Sequence, residues 1–227
     1  MSPRLTRLIG QTGLYALATA AIKASGLFLA PILLNTAFLS QGGYGQLEVL
    51  LVTAQLGIVI TGMGIGWGLL RYLTDPSSED DHAALPFTSL LMIVVCASLA
   101  LAVFVGGAPL IDRLLFGDGE LTSAIRILGA YIFVKAVGQI PYMVLRAREH
   151  VGSFVTIVVV EVIALVGLVY VFLVVRGEGL HGVLYAYLLA ATAGLLLLTV
   201  FVLARIDLKF NRSLVKRIFF FGAPLVA

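Results

Sequence analysis

Along the chain, long stretches with almost no charge alternate with short polar breaks. Val49 to Leu70, Ala83 to Gly106 and Gly182 to Ala204 carry no charge, and Leu8 to Ser40, Ile127 to Leu145 and Val151 to Val175 carry one each: Lys23, Lys135 and Glu161. A hydrocarbon core about 30 Å thick takes roughly 20 residues of helix, so each stretch is long enough to span it. None alternates apolar and polar with a period of two, which excludes a barrel and leaves helices to satisfy the backbone in lipid. The pattern predicts helices over about 8–38, 47–72, 83–106, 122–146, 152–175 and 181–204, followed by a basic linker at 205–217 and, at 218–227, an apolar run too short to span. The breaks carry turn chemistry: Gln41-Gly42-Gly43, Asp75-Pro76-Ser77, Gly117-Asp118-Gly119 and Gly177-Glu178-Gly179. The expected fold is therefore an all-α membrane protein, a six-transmembrane-helix lobe at 1–204 plus the truncated start of a seventh helix. The first run far exceeds the roughly 7–15 apolar residues of a signal peptide and has no A-x-A closure, so it reads as a retained helix.

Composition agrees with this solvent. The chain is 60% hydrophobic and 12% charged, with a mean hydropathy of +1.08, well outside the range of soluble domains. The net charge of +3 does not point to nucleic acid, because the basic residues follow the membrane instead. With the N-terminus cytoplasmic, inner segments hold Arg4, Arg7, Arg71, Arg146, Arg148, Arg205, Lys209, Arg212, Lys216 and Arg217, and outer loops hold Arg113 and Arg176, ten against two. The positive-inside rule then sets an N-in orientation and a multi-pass protein of the cell inner membrane, with the basic segment read as a topogenic linker in preference to an amphipathic segment facing anionic lipid. The single Cys96 permits no internal disulfide.

Charge at the centre of a spanning helix costs about 2.5–3.5 kcal/mol on insertion scales, so the three buried charges need a reason. Lys23, Lys135 and Glu161 lie at similar depth on the first, fourth and fifth helices. Tyr15, Thr19 and Lys23 share one helical stripe, as do Tyr131, Lys135 and Gln139, with Tyr142 one turn further. The second helix adds Gln55, Thr61 and a glycine ladder, Gly62, Gly64, Gly66 and Gly68, where another backbone or a ligand can approach. Lys135 and Glu161 are either an ion pair that fixes packing or part of a binding site; two lysines against one glutamate leave a surplus positive charge suited to an anion. The candidate substrate-binding residues are Lys23, Lys135, Gln139, Glu161 and Gln55. Arg126 and Glu48 read as residues snorkelling at the outer boundary. No Walker A or H-E-x-x-H motif is present, and the acidic cluster Asp75, Glu79, Asp80 and Asp81 beside His82 has no metal-binding spacing. Neither an enzyme, nor a cofactor, nor a metal is expected.

Leu8-Ile9-Gly10-Gln11-Thr12-Gly13, Ala30-Pro31-Ile32-Leu33-Leu34, Tyr44-Gly45, Gly62-Met63-Gly64-Ile65-Gly66 ahead of Leu69-Leu70-Arg71-Tyr72, and the ending Leu214-Val215-Lys216-Arg217 with Phe221-Gly222-Ala223-Pro224-Leu225 together form a pattern. It resembles the polysaccharide and oligosaccharide-lipid flippases of the multidrug, oligosaccharidyl-lipid and polysaccharide flippase superfamily. The resemblance implies two six-helix lobes related by a pseudo-two-fold axis, alternating access around a central cavity, and a cargo of undecaprenyl-diphosphate-linked sugar. This chain would be the N-terminal lobe, its partner the missing C-terminal lobe. Lys23 is the position the resemblance itself carries over, as a cavity cation holding the diphosphate. An ion-coupled multidrug exporter with Glu161 as its carboxylate, and a non-transporting scaffold, are the alternatives.

Overall fold

The computed structural model describes residues 20, 26–74, 82–117, 119–148, 150–202 and 206–222. The expected first helix up to residue 25, apart from residue 20 and with Lys23 included, the acidic loop 75–81 and the segment after Gly222 lie outside the described residues. Every regular element among the described residues is helical. They are α1 (26–33), α2 (Gln41–Gly62), α3 (Ile65–Thr74), α4 (Leu85–Gly106), α5 (Ala108–Leu115), α6 (Thr122–Ala147), α7 (Val151–Val169), which runs on as a π-helix over Tyr170–Val175, α8 (Gly179–Phe201) and α9 (Arg212–Gly222). Five are long and apolar enough to cross a membrane: α2, α4, α6, α7 with its π extension, and α8.

Several boundaries differ from the hydropathy pattern for local reasons. Gln41-Gly42-Gly43 is not a turn but the first turn of α2. Ser40 caps it by accepting the Gly43 N–H through Oγ at 3.0 Å, which satisfies one of the orphan donors of the helix start. The helix expected over 47–72 breaks at Met63 (φ 39°) and Gly64 (φ +67°), both left-handed. The supposed outer loop folds as α5, a short helix whose exposed Leu110 and Leu114 lie one turn apart on one face, as suits a helix lying in the membrane interface. The basic linker becomes helical at Arg212, so α9 takes in half of it.

The helix α6 is the centre of the bundle. It packs against α2, α3, α4, α5, α7 and α8, and half of its spanning window is buried, against 17% for α4. With no hydrophobic drive between helices in lipid, such contacts rest on close packing and polar ties. The apolar interior forms two clusters, one at each end of the bundle. One gathers Leu47, Leu50, Ile125, Leu128 and Ile132 with the start of α8; the other gathers Ile65, Leu69, Ile93, Ile140 and Leu198 with Ile218 of α9. Between them, around the middle of α6, lie the polar residues.

At the α2 break two backbones meet. A Cβ on Gly64 would collide with the Gly222 carbonyl oxygen, and one on Gly222 would stand 2.7 Å from the Gly64 carbonyl carbon. A bare backbone on both sides is what lets α9 dock on the broken helix, with Arg71 stacking over Phe221 at 4.5 Å alongside. Gly64→Ala combines this clash with a left-handed φ, and is expected to cost at least about 1–3 kcal/mol. Thermal unfolding in detergent should show it, with Gly106→Ala, where a Cβ meets nothing within 4 Å, melting as the parent.

Candidate functional site

The stripe on α6 reaches the seam between the two apolar clusters, and there it meets α7, α8 and α2. Lys135 Nζ lies 2.6 Å from Glu161 Oε1 on α7. Tyr142, just after Pro141, donates from its hydroxyl to the other carboxylate oxygen, Oε2, at 3.1 Å. Pro141 removes a backbone donor in this same turn of α6 and leaves the Val137 carbonyl without its helical partner. The glycine at 194 makes room for the carboxylate: a Cβ there would sit 2.9 Å from Glu161 Oε2. Both oxygens of Glu161 are thus engaged, one by an ammonium and one by a phenol, as burial of a carboxylate requires.

The pair is held rather than sealed. The side chains of Lys135 and Glu161 keep 31% and 19% of their exposure, and both line two hollows. The larger, about 440 Å³, is walled also by Gln55, Tyr131, Tyr142, Phe154, Tyr187 and Leu165. The smaller, about 150 Å³, lies between the pair and α2, bounded by Ile58, Gly138, Gln139 and Leu198. Aromatic rings brace the walls edge to face, Tyr131 against Tyr187 at 5.8 Å and Tyr142 against Phe154 at 5.6 Å. Gln139 reaches toward the α2 break, its amide 3.5 Å from the Ile58 carbonyl and its Oε1 2.8 Å from where a Gly62 Cβ would be.

Of the residues singled out in the sequence, Lys135, Glu161, Gln139 and Gln55 converge on these two hollows; Lys23 lies outside the described residues. Arg126 and Glu48 are exposed near the ends of their helices. Sequence reasoning misses Gly194 on α8 and reads Tyr187 as membrane belt or core, whereas the ring lines the larger hollow. The run of small residues Ala190-Ala191-Thr192-Ala193-Gly194 was the signal that another helix, or a side chain from it, comes close there. Pairing changes the electrostatics: among the described residues that line the hollows, one cation and one anion balance.

A family profile described as polysaccharide biosynthesis protein matches residues 36–227. The chain belongs to that family. No curated protein matches it. Among solved structures, this polysaccharide biosynthesis family member is similar to a transporter of the MOP superfamily from Pyrococcus furiosus, with 16% identity, a TM-score of 0.73, and coverage of 95% of this chain and 49% of that one. It is also similar to an outward-facing multidrug resistance MATE transporter (17% identity, TM-score 0.71, 95% and 49% covered) and to a MATE protein in complex with Br-NRF (20% identity, TM-score 0.70, 95% and 50% covered). These likenesses show a shared fold. The chain spans about half the length of each of these structures.

Removing one partner of the pair leaves the other charge alone among apolar helices. Lys135→Ala should therefore lower the melting temperature, by less than the roughly 3–5 kcal/mol of a fully dry pair because both side chains keep some exposure. Lys135→Ala combined with Glu161→Gln should recover most of that loss. Thermal melts of the single and double variants in lipid nanodiscs check the coupling.

Proposed function

We propose that this chain is one lobe of a membrane transporter that carries lipid-linked, diphosphate-bearing oligosaccharide across the bacterial inner membrane by alternating access. The observation that carries the reading is Lys135, an ammonium deep among apolar helices and open to a 440 Å³ hollow walled by four tyrosine and phenylalanine rings, in a member of a polysaccharide biosynthesis family. An ammonium offers the diphosphate three N–H donors, and the rings of Tyr131, Tyr142, Phe154 and Tyr187 offer faces on which sugars can stack. Lys23, Gln55 and Gln139 are proposed to add contacts, and Glu161 to modulate them. The lipid tail would stay in the bilayer. Six helices with a cytoplasmic N-terminus make up the proposed lobe at 1–204, joined by the basic segment 205–217 to the helix begun at 218–227. Since the chain covers half of the transporters it resembles, a second lobe related by pseudo-symmetry is proposed to close the cavity.

A second reading is favoured by one observation, the carboxylate of Glu161 at the hollow. In an ion-coupled exporter of organic cations this group would bind the coupling ion, and Lys135 would be its resting partner.

The experiment is complementation of a flippase-deficient strain, with surface glycan and protein level followed together. Lys23→Ala, and Lys135→Ala combined with Glu161→Gln to spare the fold, are expected to reduce glycan per unit of protein by about tenfold or more, the equivalent of some 1.4 kcal/mol in cargo binding. Normal glycan from both variants sinks the anion site; loss of glycan in step with protein makes the pair a packing device. Loss of drug efflux in Glu161→Gln with normal glycan favours the exporter. Orientation has its own check. In a Cys96→Ala background, a cysteine at exposed Glu120 should react with a membrane-impermeant thiol reagent added outside, and one at exposed Asp207 should react only after permeabilisation.

A further inference from the structure

At the start of α6, outside both hollows, the bundle buries a second carboxylate. Asp112 on α5 is 0% exposed, and neither of the ion pairs among the described residues involves it. Its Oδ2 accepts from the Thr122 hydroxyl at 2.8 Å, while its Oδ1 has no hydrogen-bond partner. The one donor is also contested. Thr122 Oγ1 lies 3.1 Å from the Gly119 carbonyl oxygen as well, and a hydroxyl has a single hydrogen. Two carboxylate oxygens, a carbonyl oxygen and the hydroxyl oxygen thus share one hydrogen among them.

Burying a carboxylate without full compensation is strongly unfavourable, and an orphaned buried oxygen calls for an ion or a water beside it. The positive end of α6 offsets part of the charge but gives Oδ1 no hydrogen bond. A water would bring Oδ1 a donor and leave the charge. A cation answers both, because it takes lone pairs and needs no hydrogen. The charge of the segment points the same way: residues 108–121 hold Asp112, Asp118 and Glu120 against Arg113, and Arg113 is exposed. The chain also folds back over this carboxylate. Phe116 and Gly117 donate their N–H groups to the Asp112 carbonyl at 2.8 and 3.3 Å, and left-handed Gly117 (φ +90°) and Gly119 (φ +80°) turn the loop so that the Gly119 carbonyl meets Thr122. Carboxylate, carbonyl and hydroxyl oxygens, with water completing the shell, are the ligands that calcium prefers. We infer that Asp112, the Gly119 carbonyl and Thr122 Oγ1 form a calcium site that clasps α5 to the start of α6. With the ion in place, the Thr122 hydroxyl turns its hydrogen away and offers a lone pair, so the shortage of donors disappears. The site lies apart from Lys135 and is independent of the cargo.

The test is calcium titration of the full-length protein, stripped with EDTA, in nanodiscs of zwitterionic lipid, with empty nanodiscs as the blank. Equilibrium dialysis against radioactive calcium is expected to find about one ion per chain above the blank, with a dissociation constant of about 0.1–1 mM, the range of the weaker calcium sites. Calcium at roughly ten times that constant should raise the melting temperature by about 3 °C or more. Asp112→Asn keeps the shape and removes the charge, and should abolish both the uptake and the shift. Thr122→Val keeps the shape and removes the hydroxyl oxygen, and should weaken uptake by about tenfold. A parent that takes up no calcium above the blank, or that melts alike with and without it, overturns the inference and leaves Asp112 as a polar anchor for Thr122. Uptake that survives Asp112→Asn unchanged overturns it too, since the ion then sits elsewhere. If Asp112→Asn fails to fold, Thr122→Val decides: undiminished uptake in that variant removes the site.

Discussion

A charge inside a bilayer has to be answered by another charge or by water, and in this bundle the Lys135–Glu161 pair is where that requirement is met. The pair ties the central helix α6 to α7 at the level where the two apolar clusters part. The surroundings of the pair are arranged around it. Tyr142 takes the second carboxylate oxygen, Gly194 yields its side-chain space, and the aromatic rings keep the hollow open beside it. Because the two charges are satisfied by each other, the pair is stable within the bundle even though two hollows reach it.

The outline of the fold was legible because hydropathy and charge obey a solvent constraint that acts on every residue. Long uncharged runs correspond to α2, α4, α6, α7 and α8, and the depth of Lys135 and Glu161 followed from their place within those runs. What escaped depends on short-range geometry. The α2 start was hidden because Gln41-Gly42-Gly43 reads as a turn unless the Ser40 cap is weighed. The break at Met63-Gly64 lies in an unbroken apolar run, and apolarity says nothing about φ. The short helix α5 is too brief and too mixed for a spanning window.

The candidate site was half legible for a related reason. Depth identifies charges that need partners, but not which partner each one takes. The i, i+4 stripe on α6 put Lys135 and Gln139 on one face, yet only the packing of α7 shows that Glu161 cancels Lys135 and that Tyr142 shares the carboxylate. The partners contributed by α8 are a tyrosine and a glycine, residue types that in a sequence look like filling.

The contact of Gly64 with Gly222 bears on how the chain is made. Ribosome and insertion machinery deliver α2 and α3 long before α9, so during synthesis the interrupted turn at Met63-Gly64 waits without the backbone that covers it in the finished bundle. In hydrocarbon an uncovered break exposes peptide groups that lipid cannot solvate. Docking of α9 through Gly222 therefore completes the packing of the break, which the earlier helices leave open on that side.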